Sequence, residues 1–280
     1  MKLGRLKDNA VAAVTDKGVI NLSELGFTGN MKDLIKAGKA ELDKISSLIK
    51  NADNFKNIDY SDFDAPVNDP SKIIAIGLNY VDHASESKME IPKTPIVFTK
   101  FSNSITGPTG EIKIPKRLTQ KADYEVELAV VIGKQGKNIT KENALDYVFG
   151  YTVVNDISAR DLQFSDGQWV RGKSLDTFCP MGPVIVTKDE IPDPQNLKLI
   201  CEVNGERLQN DSTKNMIFGV ADLISILSEA FTLEPGDIIA TGTPRGVGFS
   251  RKPPIYLKEG DIIKTSVEGI GELINAVREV

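Results

Sequence analysis

The chain has 280 residues, of which 40% are hydrophobic and 26% charged, a composition typical of globular enzymes rather than of disordered or fibrous proteins. Its formal net charge of -5 gives no basic surface for nucleic acid, and its apolar runs are too short for a signal peptide or a membrane span. With one histidine and two cysteines that lack metal-ligand spacing, only an oxygen-ligand metal site remains plausible. We therefore expect a cytoplasmic protein without nucleic-acid or membrane partners.

The N-terminal region predicts a small α/β domain. Residues 10–22 form a predicted hairpin, and two short helices follow, with Asn30 as the N-cap of the first helix and Gly38 as its end. The segment 62–70 is rich in Asp, Asn and Pro, which is typical of a linker. The sequence therefore predicts a small N-terminal domain and a larger second domain, residues 1–65 and 66–280.

The second region contains more predicted strands than helices. Its β-branched runs lie at 73–76, 96–99, 126–132, 151–154, 184–186, 197–203, 238–240 and 262–267. The clearest helices are 143–147 and 220–229. Because strands and helices do not alternate strictly, the pattern favours a strand-rich α+β fold with a mixed sheet over a doubly wound sheet.

Two acidic residues lie in one of the buried strands. Side chains alternate along a strand, so Glu125 and Glu127 share one face while Val126 and Leu128 face the other way. Like charges so close repel each other and lose hydration, which a divalent cation would relieve by taking carboxylate oxygens as ligands. A solvent-facing strand edge is the alternative. Asp156, placed where the strand 151–154 meets its loop, is a third acid that favours the metal site.

The only histidine, His83, follows the first strand of the larger domain. If its segment is helical, His83 and Glu86 stand at i and i+3 and can touch. A carboxylate bound to one ring nitrogen would orient the imidazole and leave the other nitrogen as a general base. A surface histidine in a polar loop is the alternative interpretation.

Two glycine-containing segments also carry reactive side chains. Residues 167–177 hold the only tryptophan and Lys173, a lysine able to bind an anionic substrate or donate a proton. Residues 241–248 follow the strand 238–240 and offer backbone N–H groups and hydroxyls suited to a carboxylate or an oxyanion. The Walker spacing is missing, so this is not a phosphate loop, and a plain structural loop is the alternative for both segments.

Taken together, these segments resemble the fumarylacetoacetate hydrolase family. The likeness spans about residues 71–280 and is carried by the segments 79–84, 124–128, 155–161, 172–177 and 241–244. The resemblance implies a β-roll of mixed sheets, a homodimer, and Mg²⁺, or Mn²⁺ or Ca²⁺, held by Glu125, Glu127 and Asp156.

The resemblance also implies roles for other residues. His83 and Glu86 match the water-activating dyad of the family's hydrolases, and Lys173 matches a lysine that binds substrate near the metal. Gln163 matches, more loosely, a polar position that orients water. The remaining expected substrate contacts are Tyr80, Thr241, Gly242 and Thr243.

A narrower likeness concerns bacterial 2,4-diketo-3-deoxy sugar acid hydrolases and relatives labelled ureidoglycolate lyases. We therefore expect a metal-dependent hydrolase that breaks a carbon-carbon bond in a 2,4-dioxo acid and releases pyruvate, with His83 activating water. Leu78 stands where some acylpyruvate-cleaving relatives have arginine, which favours a polyhydroxylated substrate over one with a second anionic group.

Three alternatives stay open at this stage. The same site could tautomerise or decarboxylate a 2-oxo or 2-hydroxydienoic diacid without water attack. A ureidoglycolate lyase would release glyoxylate and urea instead. An inactive, metal-dependent sugar acid binding protein would retain the ligands without turnover.

Overall fold

The computed structural model describes residues 1–57 and 59–280. The strands within these residues are β1 Lys2–Leu6, β2 Val11–Thr15, β3 Gly18–Asn21, β4 Phe63–Asp64, β5 Ile73–Gly77, β6 Ile96–Lys100, β7 Ile105–Thr106, β8 Ile112–Ile114, β9 Ala122–Asp123, β10 Val126–Ile132, β11 Val148–Asn155, β12 Ser158–Ala159, β13 Cys179–Thr187, β14 Lys198–Val203, β15 Glu206–Ser212, β16 Ile238–Ala240, β17 Ile262–Val267 and β18 Gly271–Glu279. The α-helices are α1 Met31–Lys50, α2 Val81–Glu86, α3 Arg160–Gln163, α4 Val170–Lys173 and α5 Val220–Ala230. The predicted strand-rich α+β fold is confirmed.

Two larger sheets organise the strands. The first has the order β3-β2-β1-β13-β11-β10-β16-β5-β6, with β4 paired to β1 and β7 paired to β13. It is mixed, because β16 runs parallel to β5 while β10 pairs antiparallel with both β11 and β16. The second sheet has the order β15-β14-β17-β18-β8, and a two-stranded pair of β12 and β9 completes the described sheets.

The central strand β10 is buried along its whole length. Neighbouring strands form hydrogen bonds with its backbone on both edges. Because side chains on both faces are also buried, the strand can be a continuous apolar run. Val126, Leu128 and Val130 pack into one hydrophobic core, whereas Ala129 and Val131 pack into another. This alternation places Glu127 on the same face as Ala129, as the sequence predicts.

The N-terminal strands extend the first sheet. Leu3 of β1 pairs with Ile185 of β13, and the hairpin of β2 and β3 continues outward from β1. Asn30 caps α1, and Gly38 interrupts this helix with a positive φ of 65°, so two helical segments follow the hairpin as expected. The domain boundary at residues 65 and 66 stays a prediction. The predicted helix 143–147 is a 3-10 helix, Lys141–Tyr147.

Within residues 1–57 and 59–280, the structure contains no helix with the length and apolar character needed to cross a membrane.

The second sheet offers a test of how its core contributes to stability. Leu199 of β14 is fully buried, whereas Ile262 of β17 is 44% exposed in the same sheet. We expect Leu199→Ala to lower the free energy of unfolding by about 2–5 kcal/mol, because it leaves a cavity in the core. Ile262→Ala should change it by only ~0.5 kcal/mol. Urea denaturation measures both, and equal losses would contradict this assignment of the core.

Candidate active site

Three carboxylates meet where β10 begins and β11 ends. Glu125 immediately precedes β10, Glu127 lies within it, and Asp156 immediately follows β11. Because the two strands pair antiparallel, with Val126 opposite Asn155, the start of one strand adjoins the end of the other. One oxygen from each carboxylate lies within 4.8 Å of the others, and all three residues are buried. The structure thus brings the three predicted metal ligands together.

Cationic side chains surround this acidic trio, defined as Glu125, Glu127 and Asp156. The ammonium nitrogen of Lys173 lies 2.7 Å from Glu125 Oε2 and 2.7 Å from Asp156 Oδ2. Lys100 donates to Asp156 Oδ1 at 2.6 Å, and Arg160 Nη2 donates to Glu125 Oε1 at 2.6 Å. No local sequence pattern predicted these contacts of Lys100 and Arg160 with the trio.

The electrostatic environment differs between the members of the trio. Burial disfavours the charged form of Glu125, but the positive charges of Lys173 and Arg160 outweigh burial and lower its pKa to about 2. Burial, together with the negative charges of Asp156 and Glu125, raises the pKa of Glu127 well above its usual value. Among the described residues Glu127 has no ion-pair partner, and its Oε2 accepts only the Gly242 N–H at 2.9 Å.

The donor set fits a divalent cation. Three buried carboxylate oxygens converge, and one of the three carboxylates lacks a positive partner in the described part of the chain. Oxygen ligands of this kind suit hard dications such as Mg²⁺ and Mn²⁺. Glu125, Glu127 and Asp156 are therefore the residues that would hold the metal.

Asp123, the next acid along the chain, does not join the trio. Its Oδ2 accepts from Arg160 Nε at 2.9 Å, and its Oδ1 accepts from the Gly248 N–H at 2.7 Å. Arg160 therefore bridges Asp123 and Glu125, and its guanidinium also lies 4.4 Å from the centre of the Phe249 ring. Asp123 acts through Arg160 to orient the first acid of the trio.

The glycine-rich loop after β16 binds acids of the chain itself. Gly242 N–H donates to Glu127, Gly246 N–H donates to both oxygens of Glu86, and Gly248 N–H donates to Asp123. We expected these N–H groups to serve a substrate carboxylate or an oxyanion. In the structure they are instead occupied by buried or half-buried side-chain carboxylates.

Glycine is required at two positions of this loop. Gly242 and Gly246 have φ values of +96° and +102°, which L side chains rarely adopt. A Cβ on Gly246 would also lie 2.2 Å from the carbonyl oxygen of Leu208. A side chain at either position would strain the backbone conformation that presents these N–H groups to the acids.

The predicted dyad forms on α2. His83 Nδ1 lies 2.9 Å from Glu86 Oε1 across one helical turn, and His83 is 5% exposed. The Gly246 N–H holds Glu86 at 3.0 and 2.9 Å, so the carboxylate is oriented from a second element. This contact engages Nδ1 and leaves Nε2 as the nitrogen available for proton transfer.

One small cavity is lined both by His83 of the dyad and by Glu125 of the trio. It has a volume of about 30 Å³, and its polar lining includes His83, Glu125, Gln163, Lys173 and Thr243. Its apolar lining includes Leu78, Met89, Phe98, Phe164, Trp169 and Phe249. A larger cleft of about 870 Å³ lies against the N-terminal helix and contains none of the predicted site residues.

The remaining expected substrate contacts have other partners. Thr241 donates its hydroxyl to the Leu128 carbonyl at 2.8 Å, and Thr243 donates to Val126 at 2.9 Å although it also lines the cavity. Tyr80 is fully buried and outside the cavity lining, and its hydroxyl has no hydrogen-bond partner in the part of the chain that is described. Gln163 accepts from Arg160 Nη1 at 2.9 Å, and it also lines the cavity.

The chain is similar to several known proteins over most of its length. The oxaloacetate tautomerase fahd2, mitochondrial, of Xenopus laevis is 46% identical over 260 residues, covering 92% of this chain and 81% of that protein. The fumarylacetoacetate hydrolase of Exiguobacterium antarcticum is 39% identical, with a TM-score of 0.85 and 100% coverage of both chains. The maleylpyruvate hydrolase of Sphingobium sp. SYK-6, solved with manganese(II) and pyruvate, is 30% identical, with a TM-score of 0.85 and coverage of 100% and 99%. The profile described as Fumarylacetoacetate (FAA) hydrolase C-terminal matches residues 72–278, and the chain belongs to this enzyme family.

Proposed function

We propose that the protein is a divalent-metal-dependent keto-enol tautomerase of a small 2-oxo dicarboxylic acid, with oxaloacetate as the first substrate to test. The observation that carries this proposal is the similarity to an oxaloacetate tautomerase over 92% of the chain. The cavity lining supports an anionic substrate, because it includes the cationic side chains of Lys173 and Arg160.

The reaction requires proton transfers but no water. In the enol-to-keto direction the hydroxyl proton leaves, the carbon-carbon double bond becomes a single bond, a carbonyl forms at C2, and C3 gains a proton. A Mg²⁺ or Mn²⁺ ion held by the trio would supply Lewis-acid polarisation of the oxygen at C2. The protein must then supply a group that exchanges protons at a defined place in the cavity.

His83 is suited to the proton exchange. Glu86 engages Nδ1, so the free Nε2 takes and returns a proton at the cavity wall. Lys173 lies in the same cavity beside Glu125 and Asp156, and its ammonium group is placed to bind a carboxylate of the substrate. Phe98, with its ring centre 5.0 Å from Lys173 Nζ, keeps this ammonium in a partly apolar setting.

Hydrolysis of an acylpyruvate is the second candidate function. The observation in its favour is the His83 and Glu86 dyad, which could equally remove a proton from water. The maleylpyruvate hydrolase relative, solved with manganese(II) and pyruvate, supports the same chemistry. Release of pyruvate from 2,4-dioxo acids by the purified chain would favour this candidate, including its diketo sugar acid form.

Two further expectations remain part of the proposal. We propose that the protein is a homodimer, and light scattering of the purified protein can measure its mass. We also retain the cytoplasmic location, although the Xenopus laevis relative is mitochondrial by name. Fractionation of the source cells would decide between these compartments.

The dyad can be tested with a matched control on the same helix. We expect His83→Ala to reduce the rate of oxaloacetate tautomerisation roughly 10²–10⁴-fold, because it removes the proton-exchanging group. Asp82→Asn should leave the rate nearly unchanged, since Asp82 is exposed and its nearest cation, on Arg245, lies 3.6 Å away. Loss of enol absorbance, corrected for the spontaneous reaction, measures the rate. An unaltered rate in His83→Ala would remove the dyad from the mechanism.

The trio can be tested by comparing two of its members. We expect Glu127→Gln to abolish the metal-induced rise in Tm, while the metal-free protein remains at least as stable as wild type because like-charge repulsion is reduced. Asp156→Asn should destabilise the metal-free protein by about 3–5 kcal/mol, because it breaks buried contacts with Lys100 and Lys173. Differential scanning calorimetry with and without Mg²⁺ or Mn²⁺ measures both effects. A full metal-induced shift in Glu127→Gln would contradict the assigned ligand.

A further inference from the structure

Each carboxylate of the trio has one oxygen bound by a donor of the protein. Arg160 donates to Glu125 Oε1 at 2.6 Å, the Gly242 N–H donates to Glu127 Oε2 at 2.9 Å, and Lys100 donates to Asp156 Oδ1 at 2.6 Å. The second oxygens of Glu125 and Asp156 contact only the Lys173 ammonium among the described residues. These donors come from separate parts of the chain and have one effect in common. Each leaves its carboxylate with a single oxygen for a further ligand.

Lys100 stands apart from the other donors. It ends the edge strand β6, its side chain is completely buried, and it does not line the cavity. Besides Asp156, its ammonium donates to the Lys173 carbonyl and, at 3.4 Å, to the Ile157 carbonyl. Its hydrogen-bond partners among the described residues all lie next to or within the acidic trio and the Lys173 segment. The carboxylate and the two backbone carbonyls together accept from all three N–H donors of the buried ammonium.

The contacts of Lys100 tie two functional segments together. Ile157 adjoins Asp156, and the Lys173 carbonyl belongs to the same residue whose ammonium contacts Asp156 Oδ2. One buried group therefore sets the orientation of the Asp156 carboxylate and the position of the backbone that carries Lys173. Lys173, by contrast, contacts the oxygens that remain available and also reaches the cavity.

The number of available oxygens bears on which ion is preferred. Ca²⁺ takes 6–8 oxygen ligands and often binds carboxylates through both oxygens, whereas Mg²⁺ requires near-octahedral geometry and uses one oxygen of each carboxylate. A trio restricted to one oxygen per carboxylate suits the smaller ion. The donor that hydrogen-bonds the other oxygen of a carboxylate then helps to determine whether the site prefers Mg²⁺ or Ca²⁺.

We propose that Lys100 is a positioning residue that holds Asp156 in one-oxygen coordination and thereby biases the site toward Mg²⁺ and Mn²⁺ over Ca²⁺. This inference rests on the part of the proposed function that assigns a dication to the trio, and it is independent of the substrate. Lys100 and Lys173 have different tasks in this arrangement. Lys100 sets the geometry of the ligand, and Lys173 competes for the oxygens that the ion would use.

Isothermal titration calorimetry of the metal-free protein with Mg²⁺ and with Ca²⁺ tests the proposal without substrate. We expect the wild-type protein to bind Mg²⁺ at least about tenfold more tightly than Ca²⁺. Lys100→Met and Lys100→Gln should shift this ratio about tenfold or more toward Ca²⁺, because Asp156 gains a second available oxygen. The ratio is the readout, since removal of a positive charge alters the affinity for both dications in the same direction.

Lys173→Met is the matched control. It removes an ammonium from the same carboxylate but from the other oxygen, so both affinities should rise while the ratio stays within about twofold. A ratio unchanged in folded Lys100 variants would overturn the proposal. If neither variant folds, a wild-type protein that binds Ca²⁺ as tightly as Mg²⁺ overturns it. Binding of neither ion by wild type would instead refute the metal-dependent function itself.

Discussion

Three carboxylates held within 4.8 Å of one another in the interior are the constraint on which the rest of this site depends. Isolated buried charges of one sign would be expelled or neutralised, so the surroundings must provide opposite charge and hydrogen bonds. Arg160, Lys100 and Lys173 provide the positive charge, and the loop after β16 provides N–H groups. Among the described residues Glu127 has no cationic partner, and a divalent cation would supply the missing positive charge.

The fold meets this constraint through strand register and through glycine. Antiparallel pairing of β10 and β11 brings Glu125 and Asp156 together, with the Asp156 N–H donating to the Glu125 carbonyl at 2.8 Å. The loop from Gly242 to Gly248 then passes close enough for its backbone N–H groups to donate to Glu127, Glu86 and Asp123. A single loop thereby couples the orientation of Glu86 to that of Glu127, although the two acids belong to different elements.

Local patterns made much of this arrangement predictable, because strand alternation and i, i+3 spacing are properties of short segments. They indicate that Glu125 and Glu127 share a face and that His83 can contact Glu86. Lys100 lies 56 residues from Asp156, and no local pattern specifies that pairing. Its one signal in the sequence is a lysine directly after the predicted strand 96–99. For Gly242 the sequence indicated a backbone donor, but its acceptor is set by the pairing of β10 with β16.

The same residues are compatible with tautomerisation and with hydrolysis, because both reactions pass charge to the oxygen of a 2-oxo acid. The two reactions differ in whether a water molecule must stand beside His83 during the chemistry. Leu78, Phe98 and Trp169 form apolar walls around a cavity of only about 30 Å³. The polar part of the cavity lining, which includes His83, Gln163 and Thr243, could hold a water by hydrogen bonds. His83 could therefore exchange a proton either with the substrate or with a bound water, and a substrate with a longer acyl chain would have to displace the apolar walls.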